Sequence, residues 1–139
     1  MFLYSQNSEV EYLIYTSNIF SEHAERLSSV HENYSDFVTQ TLFSEDIGPL
    51  YLSEYLFNID NNYINNDDTF HNLKYFLIIG DESIISPLFY LGSTASDDYF
   101  SSKNQNTNIL PNPQLATGRI LISDPTSFTQ INNIENYIL

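Results

Sequence analysis

Hydrophobic positions along the chain alternate between strand-like and helix-like patterns. Val10 to Thr16 (VEYLIYT) is β-branched, aromatic and nearly continuous in apolar character, which suits a strand covered on both faces. Ser17 and Asn18 then offer turn and cap chemistry. Phe20, Ala24, Leu27 and Val30 recur at helical spacing, with Glu22, Glu25 and Arg26 between them, and predict a helix from about Ile19 to Asn33. Phe37 to Phe43 (FVTQTLF) reads as a second strand. The run Glu45-Asp46-Ile47-Gly48-Pro49 breaks it and places an acidic pair where the next helix would start. Leu50, Leu52, Tyr55, Leu56 and Ile59 supply the apolar positions of that helix. The Asx-dense stretch Asn58 to Asp68 ends it in a loop.

Tyr75 to Gly80 (YFLIIG) is the most hydrophobic strand and is expected at the centre of the sheet. Pro87 ends a short turn segment, and Phe89 to Leu91 reads as extended. Ser93 to Asn108 is expected to be a long polar loop, with Pro111 and Pro113 fixing its exit. Leu115 to Ile122 (LATGRILI) is a fourth strand. Ser123-Asp124-Pro125 looks like the start of a last helix, an acidic cap followed by a proline in the first turn, with Phe128, Ile131, Ile134, Tyr137 and Ile138 as its apolar stripe. The order strand, helix, strand, helix, strand, loop, strand, helix predicts one α/β domain. It would be a three-layer sandwich with a mainly parallel sheet of about four strands and helices on its faces. Residues 1–9 form an N-terminal extension, and 10–139 form the domain.

Charge narrows the partners. The 139 residues hold 18 acidic side chains against four basic ones (Arg26, Lys74, Lys103 and Arg119), for a formal net charge of −14. Nucleic acid is an unsuitable partner, because phosphate binding needs Lys and Arg to displace counterions. An anionic membrane surface is disfavoured for the same reason, and no apolar run approaches the ~20 residues of a membrane helix. Met1 to Asn7 carries no basic region followed by an apolar core, so it does not read as a signal peptide. The chain has no cysteine, which removes disulfides, thiolate metal sites and a cysteine nucleophile from these residues.

Candidate chemistry is sparse. G-x-G-x-x-G, P-loop, H-E-x-x-H and G-x-S-x-G patterns do not occur. His23 and His31 lie eight residues apart on one predicted helix, about 80° apart around its axis. They read as surface histidines, not as a convergent metal pair. Gly80-Asp81-Glu82 follows the central strand, where ligands gather in open α/β sheets. Asp97 and Asp98 lie in the loop after it. These four carboxylates (Asp81, Glu82, Asp97 and Asp98) would suit calcium, anchor a helix N-terminus or orient a partner domain; local turn capping is the plainer alternative. No cofactor is required by anything in the chain. Arg119, inside a strand and after Gly118, is expected to pair with a carboxylate near the sheet end and so hold loops in place.

Four motifs in order carry a resemblance. They are Ile79-Gly80-Asp81, the loose Ile85-Ser86-Pro87, Ser96-Asp97-Asp98-Tyr99, and Gly118-Arg119 followed by a helix from Gln130-Ile131 through Tyr137. With VEYLIYT and FVTQTLFSEDI in the front half, the chain from about Val10 to Leu139 resembles gingipain-type cysteine peptidases. Asn133 stands where the pattern has Lys, and Ser86 intervenes before Pro87.

The resemblance implies a caspase-like, Rossmann-like arrangement of two adjoining α/β subdomains, of which this chain looks like the first. The catalytic histidine and cysteine of the family belong to the second, so no catalytic residue carries over. Gly80, Pro87, Tyr99, Gly118 and Arg119 carry over as structural positions. The implied partner is the catalytic subdomain. The family also implies secretion or display on a bacterial surface, which the N-terminal sequence does not match. Two rivals remain: a free-standing acidic binding or regulatory module, and a metal-dependent hydrolase using Asp81, Asp97 or Asp98. A missing catalytic partner predicts an exposed apolar edge or face. A free-standing module predicts a polar exterior on every side.

Overall fold

A computed structural model describes residues 10–57 and 70–126. Six strands form: β1 (Tyr12–Thr16), β2 (Thr39–Phe43), β3 (Tyr75–Ile79), β4 (Leu88–Tyr90), β5 (Thr94–Ser96) and β6 (Ala116–Ile120). The helices are α1 (Ser21–Ser35) and α2 (Leu52–Phe57), with 3₁₀ turns at Asn18–Phe20, Pro49–Tyr51 and Asp97–Ser101. Four strands make one sheet in the order β2-β1-β3-β6. All three pairings are parallel and in step, Tyr12 opposite both Thr39 and Tyr75, and Tyr75 opposite Ala116. The carboxyl ends of the strands therefore finish at one edge. Among the described residues, β2 and β6 are the outer strands.

Continuous hydrophobicity in β1 and β3 is explained by cover on both faces. Successive side chains of a strand point to opposite sides. Leu13, Tyr15, Phe76 and Ile78 enter one core with Leu52 and Leu56 of α2 and with Ile85 and Phe100. Tyr12, Ile14, Leu77 and Ile79 enter the other with Phe20, and with Ala24 and Leu27 of α1. The architecture is thus a mainly parallel sheet between helical layers, as the pattern predicts. Helix α1 stops at Asp36, which adopts the left-handed conformation (φ 56°) and returns its N–H to the His31 carbonyl.

The segment read as a polar loop differs from expectation. It contains β5, antiparallel to β4, and the 3₁₀ turn Asp97–Ser101. Two aromatic residues decide this. Tyr99 and Phe100 are fully buried, and Phe100 joins the α2-side core. Ser96 starts the turn by accepting the Asp98 N–H on its hydroxyl at 3.3 Å. The second strand begins at Thr39, two residues later than its pattern suggests, and the Val38 carbonyl opens its pairing with β1 by accepting the N–H groups of Glu11 and Tyr12.

The extension at residues 1–9, the Asx-dense stretch and the stripe of the last helix lie outside the described residues. Of that helix start, Asp124 accepts the N–H and hydroxyl of Thr126 at 2.8 and 2.7 Å. No helix among the described residues is long and apolar enough to cross a membrane.

Candidate functional site

The carboxyl edge of the sheet carries three polar constellations. The first is built around Arg119 on β6, whose side chain is 10% exposed. Its Nε and Nη2 donate to the two carboxylate oxygens of Asp97 at 2.8 and 2.5 Å. Its Nη1 donates to the carbonyls of Gly80 and Ile85 at 3.0 and 2.7 Å. A planar guanidinium suits this task because its donors are fixed in a fork. Four of its five N–H groups are committed to the protein, so it is a poor candidate for gripping a substrate carboxylate.

The second surrounds the end of β3. Gly80 has φ 134°, a conformation that side chains rarely adopt. This turn aims Asp81 back at Ser83, whose N–H donates to Oδ1 at 2.9 Å and whose hydroxyl donates to the same oxygen. The Ser83 hydroxyl bond, with help from backbone N–H groups and Arg119, holds the Asp81 carboxyl below the usual range. Glu82 beside it is exposed.

The third lies at the ends of β1 and β2. Ser17 donates its hydroxyl to Glu45 at 2.6 Å, and the Asn18 N–H donates to the other oxygen at 3.0 Å. Desolvation pushes the Glu45 carboxyl up, but these bonds, with its own N–H and Ser44, outweigh it and hold the carboxyl below its usual value. The Glu45-Asp46 pair was expected to serve the second helix; Glu45 instead serves the segment leading into α1. That partner lies 27 residues away in sequence, so the local pattern has no signal for it.

A cavity of about 420 Å³ opens at this edge, lined by Asp81, Glu82, Pro87, Ala95, Ser96, Asp97, Arg119 and Leu121. The structure therefore brings together most of the residues singled out in the sequence. Asp98 is not among the lining residues: its main-chain carbonyl accepts the hydroxyls of Ser101 and Ser102, and it is exposed. Tyr99 stands in the core and donates its hydroxyl to the Ile109 carbonyl. Among the described residues, no three His, Asp or Glu side chains are grouped to hold a metal ion. The physical reason at this edge is plain: Asp97 is occupied by Arg119 and Asp81 by Ser83.

The histidines also differ from the surface reading. His31 packs its ring 4.2 Å from that of Tyr12 and 6.0 Å from Phe37, and burial pushes its pKa down. His23 lies edge-on to Phe20 at 6.0 Å. Both are half-buried members of the α1-side packing, and they do not converge.

The sequence profile of peptidase family C25 matches residues 5–138, essentially the whole chain. The chain belongs to peptidase family C25. Neither a search of curated proteins nor one of solved structures returned a match. Within the C25 match, Gly80, Pro87, Tyr99 and Arg119 have distinct structural tasks: a tight exit from β3, a buried wall of the cavity, a core anchor and a four-bond clamp. Gly118 does not show the same necessity. A Cβ there would meet Leu77 Cδ1 at an ordinary 3.7 Å.

Proposed function

We propose that this chain is a non-catalytic α/β scaffold of a C25 peptidase, covering one side of the catalytic part and shaping the approach to its cleft. One observation carries the reading: Arg119, Asp97, Asp81 and Glu45 at the carboxyl edge are each held by partners within the chain. Arg119 holds Asp97, Gly80 and Ile85; Ser83 holds Asp81; Ser17 and Asn18 hold Glu45. Catalytic groups need unsatisfied valence toward a substrate, with base and nucleophile within hydrogen-bond reach. With no cysteine in the sequence, the thiol that names the peptidase class cannot come from these residues.

The surface supports the partner in this reading. Leu121, just past the end of β6, is 69% exposed, and among the described residues β6 has no second neighbour. An open sheet edge presents unpaired main-chain groups on which a neighbouring element can dock, and this supports the partner reading.

The test is a peptide-hydrolysis assay of the purified chain, alone and mixed with a separately produced C25 catalytic part. The chain alone should show no turnover, and it should bind the catalytic part. Turnover by the chain alone at a defined peptide bond would overturn the proposal, as would failure to bind.

A further inference from the structure

The β4–β5 hairpin stands apart from the main sheet. It pairs only with itself, Leu88 opposite Ser96, Phe89 opposite Ala95 and Tyr90 opposite Thr94. No residue from Leu88 to Ser96 is buried, and of its apolar side chains Leu88 reaches the core. An isolated two-stranded hairpin is marginal in water, so its position must be imposed from its ends.

Both ends meet one side chain. The segment entering β4 passes Ile85 and the buried Pro87; the segment leaving β5 is Asp97. Arg119 takes the Ile85 carbonyl with Nη1 and the Asp97 carboxylate with Nε and Nη2. One guanidinium therefore clasps both feet of the hairpin to the carboxyl edge of the sheet. The tip has a lighter tether, the Leu91 N–H donating to the Thr107 carbonyl at 2.8 Å.

The tip is also strained. Leu91 and Gly92 have φ 50° and 75°, and the Ser93 N–H closes the turn onto the Tyr90 carbonyl at 3.1 Å. Two left-handed central residues suit Asn, Asp or Gly, and leucine is a costly choice for the first of them. Leu91 is nonetheless 58% exposed, so core packing does not explain its presence. Backbone strain held at an exposed, non-packing position marks segments that move or grip.

We infer that the β4–β5 hairpin is a flap over the carboxyl-edge cavity, latched by Arg119 through Asp97. Ala95 and Ser96 form its inner wall, facing a space otherwise bounded by Asp81, Glu82, Pro87 and Leu121. Opening breaks the Asp97 foot first, because that contact is made between side chains and Asp97 is 24% exposed. The Ile85 foot, a main-chain carbonyl two residues before the buried Pro87, serves as the hinge. The inference concerns access to the cavity and stands whether or not the chain scaffolds a catalytic partner.

The test uses the full chain and Asp97→Asn, which keeps the shape of the side chain and removes its charge. Hydrogen exchange of Leu88–Ser96 should quicken by about tenfold in Asp97→Asn, while Tyr12–Thr16 and Tyr75–Ile79 keep their protection. The absence of native cysteine allows clean labelling of a Ser93→Cys, Leu121→Cys pair with nitroxides. Their distance distribution should be narrow in the parent and broad with Asp97→Asn added. Unchanged exchange and distances would overturn the latch. So would an equal loss of protection in β1 and β3, because Asp97 would then support the whole fold and not one flap.

Discussion

Thr16 ties the carboxyl ends of the two inner strands together: its buried hydroxyl donates to the Ile79 carbonyl at 2.6 Å. The bond crosses between β1 and β3, the point where successive connections leave the sheet in opposite directions. Open α/β sheets usually keep a ligand crevice at that switch point. Here the Thr16 hydroxyl bonds across that point, and the cavity lined by Arg119 and Leu121 opens one strand over, beside β6. Thr16→Val keeps the shape and loses the donor. It should cost about 1–2 kcal/mol in urea unfolding, the range for a buried carbonyl deprived of its partner. A cost near zero would show that water or another donor replaces the hydroxyl.

Glu45 fixes the entry to α1 from across the sheet. Its bonds from Ser17 and Asn18 resemble those of a helix cap, supplied by a distant residue. Glu45→Ala should destabilise by about 1 kcal/mol at neutral pH, as loss of a cap does. The pH dependence follows from a carboxyl held below its ordinary value of 4.5 in the folded chain. Its contribution is complete above 4.5 and disappears as pH falls through the lower, folded value. Unfolding curves of the parent and Glu45→Gln should therefore diverge at pH 7 and approach each other near pH 3.

His31 has the same sign from a different cause. Burial against Tyr12 and Phe37 disfavours the charged ring and lowers its pKa from 6.5. The folded state then binds its proton less readily than the unfolded state. The contribution of the neutral ring is complete above 6.5 and diminishes as pH falls through the lower folded value. An NMR titration should find His31 titrating below 6.5 in the folded chain. His31→Phe should flatten the stability profile between pH 6.5 and that value. A titration at or above 6.5 would mean that the ring over Tyr12 welcomes the cation.

These cases show what could be read from sequence. Strands β1 and β3 were legible because a strand buried on both faces has no polar alternation to obscure it. Helix α1 was legible from Phe20, Ala24 and Leu27. Arg119 was legible as a clamp because a lone cation inside an apolar strand must find a carboxylate. Its partner was less so: Asp97 and Asp98 are equivalent in sequence, and only the turn begun by Ser96 directs one inward. The hairpin was half seen, since Phe89 to Leu91 looked extended but the Leu91-Gly92 turn lacks the usual Asn or Asp. The placement of Glu45 was illegible, because its partners are joined to it only through the parallel pairing of β1 with β2.

Gly80 and Gly118 make a final contrast, two glycines from the same motif set with different physical roles. At Gly80, φ is 134°, and a Cβ would lie 2.9 Å from Ile84 Cγ2 and 3.0 Å from Ile84 Cβ. Strain and crowding therefore act together, and Gly80→Ala should cost about 1–3 kcal/mol. At Gly118 the backbone is ordinary and the nearest contact is 3.7 Å, so Gly118→Ala should stay within about 0.5 kcal/mol of the parent. Adding Ile84→Ala to Gly80→Ala separates the two causes. Ile84→Ala removes Cγ2, the nearest contact, but leaves Ile84 Cβ and the Gly80 backbone in place, so, measured against Ile84→Ala alone, only part of the loss should return. Full recovery in the double variant would assign the glycine requirement to crowding alone. Equal costs at Gly80 and Gly118 would remove the special status of the β3 exit.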